Sequence, residues 1–159
     1  MGGKIQNSIA PLRYDDNFGH SLRISGNRVA IGCPGKNNGE LDSGLVVVYE
    51  YDKTTKRWKR FGNVITSLGR GAGHQLGFSL DLDRETLVVG TPGKENRGQV
   101  DLYYYNTSND LWETDSDPLI GEIGSNFGFS VHMTYRLAVG SAVTGGNNSG
   151  RVDVFYKNS

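Results

Sequence analysis

The chain repeats one pattern of residues three times, and this repeat constrains the fold more than any other feature of the sequence. Each copy opens with a block of the form Phe-Gly-x-Ser, with Leu for Phe in the second copy, at residues 18–22, 76–80 and 127–131. Two further blocks follow in each copy, at 29–34 and 44–49, 87–92 and 98–103, and 137–142 and 150–155. The glycines of the opening blocks recur after 58 and then 51 residues. The chain is therefore an array of three similar units.

Each unit is predicted to contain several β-strands and no helix. Short segments rich in Val, Leu, Ile and Tyr are bounded by Gly, Asn, Pro and Ser, which is typical of strands and turns. The runs at 29–31, 87–89 and 137–139 are continuously apolar, as expected of strands covered on both faces. A fourth strand follows near Trp58 or slightly later at 64–65, and near Trp112 or at 119–120. Four strands in about 50 residues indicate the blade of a β-propeller.

Composition excludes several classes of protein. Seventeen basic residues balance seventeen acidic ones, so no net field recruits nucleic acid. No apolar run approaches the ~20 residues of a membrane span. The one cysteine, Cys33, rules out an internal disulfide framework and a zinc site built on cysteines.

The Phe-Gly-x-Ser block followed by Gly-x-Pro resembles the FG-GAP repeat of integrin-like β-propellers, in the short variety without calcium loops. The likeness extends roughly from Ile9 to Tyr156, and the third copy departs from it with Ala142 in place of Pro. The resemblance implies a binding or adhesion-type propeller, at the cell surface or outside the cell. The units then correspond to residues 13–65, 71–120 and 122–159.

Three blades do not close a ring, because closed propellers have about 4–8 blades. Residues 9–12 resemble the segment at 118–120 that precedes the third opening block. A strand within residues 5–12 could thus complete the third unit of a partner chain and cover its edge. We expect a homodimer that forms one six-bladed propeller. The alternatives are half of a longer natural chain, or an open arc that packs in another way.

The repeats give little support for a metal site or for a catalytic nucleophile. The turns at 24–27, 82–85 and 133–135 are too short for a calcium loop, and only the second contains carboxylates. The Gly-x-Ser sequences lack the second glycine of a nucleophile elbow and recur in every unit. We therefore expect no metal, no cofactor and no catalytic residue, and Cys33 is predicted to be buried.

One position of the first strand differs between the three copies: it holds Arg23, Asp81 and His132. Strand alternation places Ser21, Arg23 and Ser25 on one face. Because the first strand of a blade lies nearest the propeller axis, these polar residues are expected to face the central channel. Arg23 and Asp81 either satisfy each other across adjacent blades, or Arg23 and His132 donate to a small anion.

The predicted function is a non-enzymatic binding, adhesion-type or scaffold module. Protein or glycan partners are expected at the channel mouth and at the loops 35–43, 93–97 and 143–149. A glycan-active enzyme is the alternative, and it needs two carboxylates about 5–10 Å apart in a cleft. The obvious suppliers are Asp15, Asp16, Asp81 and Asp83. A third alternative is a protein that only assembles and binds no ligand.

Overall fold

The computed structural model describes residue 5 and residues 16–67, 72–114, 116–142 and 149–156. Within these ranges three antiparallel β-sheets follow one another along the chain, and the helical structure is limited to one 3₁₀ turn, Lys94–Asn96. The predicted all-β class is therefore confirmed. Residues 6–12, which include most of the predicted N-terminal strand, lie outside the described ranges.

The first two sheets have the same construction. Sheet 1 contains β1 (Ser21–Ser25), β2 (Arg28–Cys33), β3 (Leu45–Asp52), β4 (Arg57–Arg60) and β5 (Ile65–Thr66). Sheet 2 contains β6 (Ser79–Asp83), β7 (Thr86–Thr91), β8 (Gln99–Asn106), β9 (Leu111–Thr114) and β10 (Leu119–Ile120). Sheet 3 contains β11 (Phe127–Met133), β12 (Arg136–Ser141) and β13 (Arg151–Tyr156). In sheets 1 and 2 both short outer strands pair with the third strand, so both predicted positions of the fourth strand are occupied.

Every repeat enters its first strand through the same tight turn. In the first repeat Asn17 and Gly19 have φ angles of 52° and 89°, and the His20 N–H donates to the Asn17 carbonyl at 3.0 Å. The equivalent φ pairs are 60° and 86° at Gln75 and Gly77, and 51° and 86° at Asn126 and Gly128. A left-handed conformation costs glycine little and is tolerated by Asn. This turn accounts for the recurring Phe-Gly pair.

Neighbouring sheets pack face to face. We call the face of a sheet that points to the next sheet along the chain its forward face, and the opposite one its backward face. Successive side chains of a strand point to opposite sides of the sheet, so they lie alternately on its forward face and its backward face. The largest core lies between sheets 1 and 2 and includes Val46, Val48, Leu80 and Leu87. A second core joins Val88 and Val100 of sheet 2 to residues of sheet 3.

Polar and backbone contacts fix the spacing of the sheets. The Ser21 hydroxyl donates to the Gly77 carbonyl at 2.7 Å, and the Ser79 hydroxyl donates to the Gly128 carbonyl at the same distance. Gly90 lies so close to the next sheet that an added Cβ would be 2.1 Å from the Gly128 carbonyl oxygen. In the first two units the serine and the glycine therefore stand where the next sheet is in contact.

The backward face of sheet 1 and the forward face of sheet 3 have no neighbouring sheet in the described part of the same chain, and they differ in how far their side chains are exposed to solvent. On the backward face of sheet 1, Val29, Ile31, Val47 and Tyr49 form a buried cluster; Ile5, Phe18 and Trp58 pack against it. On the forward face of sheet 3, Val152 and Val154 are 69% and 51% exposed. Their equivalents by strand register in sheet 1, Val46 and Val48, are fully buried.

Candidate functional site

The three candidate residues of the first strands come together in the structure. Arg23, Asp81 and His132 lie on β1, β6 and β11, which are neighbours across the sheet interfaces. The Arg23 Nε is 2.9 Å from one carboxylate oxygen of Asp81, and the His132 Nδ1 is 2.8 Å from the other. The predicted juxtaposition of these three side chains is therefore present.

Asp81 is the centre of this cluster. Its side chain is only 4% exposed, and its carboxylate also accepts hydrogen bonds from the backbone N–H groups of Leu82 and Met133, both at 2.8 Å. Four donors thus surround one buried carboxylate. Burial of a charge is tolerated when partners and hydrogen bonds compensate it. Two arrangements were predicted: a pair between Arg23 and Asp81, or donation by Arg23 and His132 to a small anion. The structure contains the Arg23–Asp81 pair.

An open concave surface of about 700 Å³ surrounds the cluster. The Arg23 and His132 side chains are 48% and 61% exposed toward solvent, whereas Asp81 is covered. Leu22 and Tyr135 contribute apolar surface to the same depression. Guanidinium and imidazole groups supply hydrogen-bond donors, so the chemistry available to a ligand here is recognition of an acceptor group.

Two of the four candidate carboxylates for a glycosidase are engaged in other contacts. Asp16 is buried and pairs with Lys36 at 2.7 Å. Asp81 is held as described, Asp83 is exposed on the rim of the depression, and Asp15 lies outside the described residues. The carboxyl group whose pKa is raised by burial is Asp101, which accepts a hydrogen bond from the Gln99 amide at 2.6 Å.

Cys33 is buried as predicted. Desolvation, with a further contribution from the negative charge of Asp16, raises the pKa of its thiol to about 12. A protonated, inaccessible thiol is a poor nucleophile. Among the described residues, no group of three His, Cys, Asp and Glu side chains is placed to hold a metal ion.

An aromatic ladder runs across the three sheets and was not predicted. The His20 and Phe78 ring centroids are 4.6 Å apart, and those of Phe78 and Phe129 are 4.9 Å apart. These residues occupy the variable place in the three Phe-Gly-x-Ser blocks. An aromatic ring in that place in every copy is the signal that could have revealed the ladder. It adds a tilted ring–ring contact to each interface between sheets.

The predicted loops are described in part. Residues 35–43 form hydrogen-bonded turns in which the Asn38 N–H donates to the Ser43 hydroxyl, while 93–97 include the 3₁₀ turn. Of the third loop, residues 143–148 lie outside the described ranges. No helix of the described part of the chain is long and apolar enough to cross a membrane.

Comparison with known proteins does not add to this description. A scan against protein-family models gives no match, and a search of curated proteins gives none. The class that fold and geometry define is thus an all-β repeat protein of three consecutive antiparallel sheets with a polar cluster on their first strands.

Proposed function

We propose that the three sheets are consecutive blades of an FG-GAP-type β-propeller, and that two chains close head to tail into a six-bladed ring. This ring would serve as a non-enzymatic binding or scaffold module. Three similar sheets with repeated Ser–Gly contacts support the blade assignment. Six blades fall within the range of about 4–8 found in closed propellers, and nine do not.

The observation that carries the proposal is the forward face of sheet 3. Val152, Val154 and Tyr156 stand exposed there, although the same face of sheets 1 and 2 is packed against the next sheet. Contiguous exposed apolar surface of this kind marks an interaction site. On a second copy, Leu22 and Ile24 are exposed on the backward face of sheet 1 and would meet this surface. The rest of that face is the cluster already buried within its own chain.

The repeats also specify how the second copy would dock. Ser21 and Ser79 each donate to the glycine carbonyl of the next opening turn. Ser130 is the third member of this series, and its partner would be the Gly19 carbonyl of the second copy. Phe129 would then stack on the second copy's His20 and extend the aromatic ladder. In this arrangement residues 5–12 of one chain could complete the third blade of the other.

The ion pairs formed by two candidate catalytic carboxylates support a non-enzymatic function. A glycan-active enzyme needs an acid and a second carboxylate facing one cleft. Asp16 and Asp81 are instead neutralised by Lys36 and Arg23. We therefore propose that protein or glycan partners bind at the loops 35–43 and 93–97 and at the channel mouth beside Arg23 and His132. By the FG-GAP resemblance, such a module acts outside the cell or at its surface.

The solution mass of the 159-residue chain tests the assembly. We expect light scattering to give twice the chain mass of 17.4 kDa. Val154→Asp places a charge on the forward face of sheet 3 and is expected to give the single-chain mass. Leu111→Asp is the matched control, because Leu111 is exposed on the outer strand β9 and should leave the dimer intact. A folded wild-type monomer, or dimer loss in both variants, would contradict the proposal.

A further inference from the structure

The two interfaces between sheets differ in how they are filled. At the first interface the Phe61 ring contacts two partners. The Arg28 guanidinium carbon lies 3.8 Å from the Phe61 centroid, and the Tyr105 ring stacks with a centroid distance of 3.9 Å. The Trp112 indole N–H donates to the Phe61 carbonyl at 3.1 Å. An aromatic side chain of the protein itself therefore fills this interface.

The second unit does not repeat in its sequence the groups that fill the first interface. Strand β2 begins with Arg28, whereas the equivalent strand β7 begins with the much smaller Thr86. Phe61 stands three residues after Trp58, and the residue three after Trp112 is Asp115. Neither the guanidinium nor the phenyl ring is thus repeated in the sequence of the second unit.

A cavity of about 450 Å³ lies between sheets 2 and 3. Its wall is more apolar than polar, and the apolar part includes Leu102, Leu119, Met133, Leu137 and Phe155. Cavities of about 300–1,000 Å³ with mainly apolar walls and a few polar groups are typical of small-molecule sites. The size and the lining therefore suit a compact organic ligand.

The rim of this cavity contains the same two kinds of group that hold Phe61. The Arg136 guanidinium carbon lies 5.1 Å from the Tyr135 ring centroid and 4.7 Å from that of Tyr156. Phe155 adds a further ring from the wall, and Asp83 supplies a hydrogen-bond acceptor at the edge. Aromatic faces and guanidinium groups both favour contact with an aromatic ring.

We propose that the cleft between sheets 2 and 3 binds a small molecule with one or two aromatic rings. The ring takes the place that Phe61 occupies at the first interface, against Phe155 and beside Arg136. This inference goes beyond the proposed assembly, in which a strand of a second copy would lie beside β13 and next to this cleft. Binding is therefore measured in the Val154→Asp variant, which is expected to have the single-chain mass, so that the cleft is formed by sheets 2 and 3 of one chain. Failure of the inference would then leave the mass prediction untouched.

Methionine offers a direct reporter, since the chain contains only Met1 and Met133. Met133 lines the cleft. Selective ¹³C-methyl labelling of methionine gives two signals, of which the Met1 signal serves as internal reference. We expect phenol and indole to move the Met133 methyl signal upfield in a saturable manner, because ring currents act on a methyl group beside a bound ring. Cyclohexanol has a similar size without an aromatic ring, and at least tenfold weaker binding is expected.

A variant links the signal to the cleft. Leu102→Trp is expected to fill the cavity and abolish the phenol-dependent shift of Met133. Leu111→Trp is the matched control, because Leu111 is exposed on the outer strand β9 and does not line the cleft, so its variant should still respond. Three results would overturn the proposal: no Met133 shift with any aromatic probe, equal binding of cyclohexanol and phenol, or a shift caused by protein concentration alone. The last result would identify a second copy as the occupant.

Discussion

The Ser79 hydroxyl donates a 2.7 Å hydrogen bond to the carbonyl oxygen of Gly128, which belongs to the next sheet. Ser21 makes the same contact with Gly77. Within the described residues these bonds join the first strand of one sheet to the opening Gly of the next repeat. They give the serine of the Phe-Gly-x-Ser block a structural role in place of a catalytic one.

Removing this hydroxyl should weaken the contact between sheets by a predictable amount. Ser79→Ala deletes the donor and leaves the Gly128 carbonyl without it, so a loss of about 1 kcal/mol in unfolding free energy is expected. Urea denaturation followed by circular dichroism measures the change. Thr107→Ala, in an exposed turn, is the control and should stay within about 0.5 kcal/mol of wild type. Equal effects of the two substitutions would mean that the hydrogen bond of Ser79 does not stabilise the contact between the sheets.

Equivalent glycines should respond differently to the same substitution. In Gly90→Ala the new Cβ would lie 2.1 Å from the Gly128 carbonyl oxygen, so a loss of about 3 kcal/mol is expected. In Gly140→Ala the nearest atom is the Ser130 hydroxyl oxygen, which can rotate away, so the loss should be below about 1 kcal/mol.

Thermal unfolding at low protein concentration compares the two glycine variants as single chains. At high concentration Gly140→Ala should lose the dimer, because its methyl group would meet the second copy where Gly90→Ala meets sheet 3. A Gly140→Ala variant that keeps the doubled mass would count against this docking geometry.

The buried carboxylate of Asp81 should be the most sensitive member of the polar cluster. Asp81→Asn keeps the size of the side chain but removes the charge that Arg23 and His132 contact, and a loss of about 3 kcal/mol is expected. Asp83→Asn is the control, since Asp83 is exposed, and should change stability by less than about 0.5 kcal/mol. Denaturant titration of both variants at pH 7 tests this, and a neutral Asp81→Asn would show that the cluster contributes nothing.

Alkaline pH should destabilise the protein partly through Cys33. Burial raises the pKa of the folded thiol to about 12, while the thiol of the unfolded chain has its ordinary pKa of 9.0. The folded-state pKa is the higher one, so this stabilising contribution is complete below pH 9 and is lost as pH rises from about 9 to 12. The slope from one such group is about 1.4 kcal/mol per pH unit.

Cys33→Ala should remove this part of the slope, measured by urea denaturation at pH 9, 10 and 11. Burial also raises the pKa of Tyr103, so Tyr103→Phe provides a second variant with a separate decrease in slope. An unchanged slope in Cys33→Ala would mean that the thiol is not desolvated in the folded state.

The repeats were sufficient to predict the sheets, because strand lengths, turn glycines and apolar runs are local properties of each unit. They were also sufficient to bring Arg23, Asp81 and His132 together, since equivalent positions of adjacent first strands must be neighbours. Which contacts each of the three side chains makes was not predictable. Asp81 accepts hydrogen bonds from Arg23, from His132 and from the Met133 N–H, and these contacts depend on the distance between the sheets. The cleft beside Phe155 was not predictable either, because it depends on side-chain volumes meeting across sheets that are distant in sequence.

Cross-linking between chains tests the head-to-tail ring most directly. Within one chain the His20 and Phe78 rings are in contact, so a His20→Cys, Phe78→Cys double variant should react with a short bis-maleimide inside the chain and serves as the positive control. Chains carrying His20→Cys are then mixed with chains carrying Phe129→Cys, in a background where Cys33 is buried and unreactive. The account predicts efficient cross-linking between the two kinds of chain and little between identical ones. Cross-linked pairs of identical variants, or no cross-linking at protein concentrations where the dimer mass is observed, would contradict it.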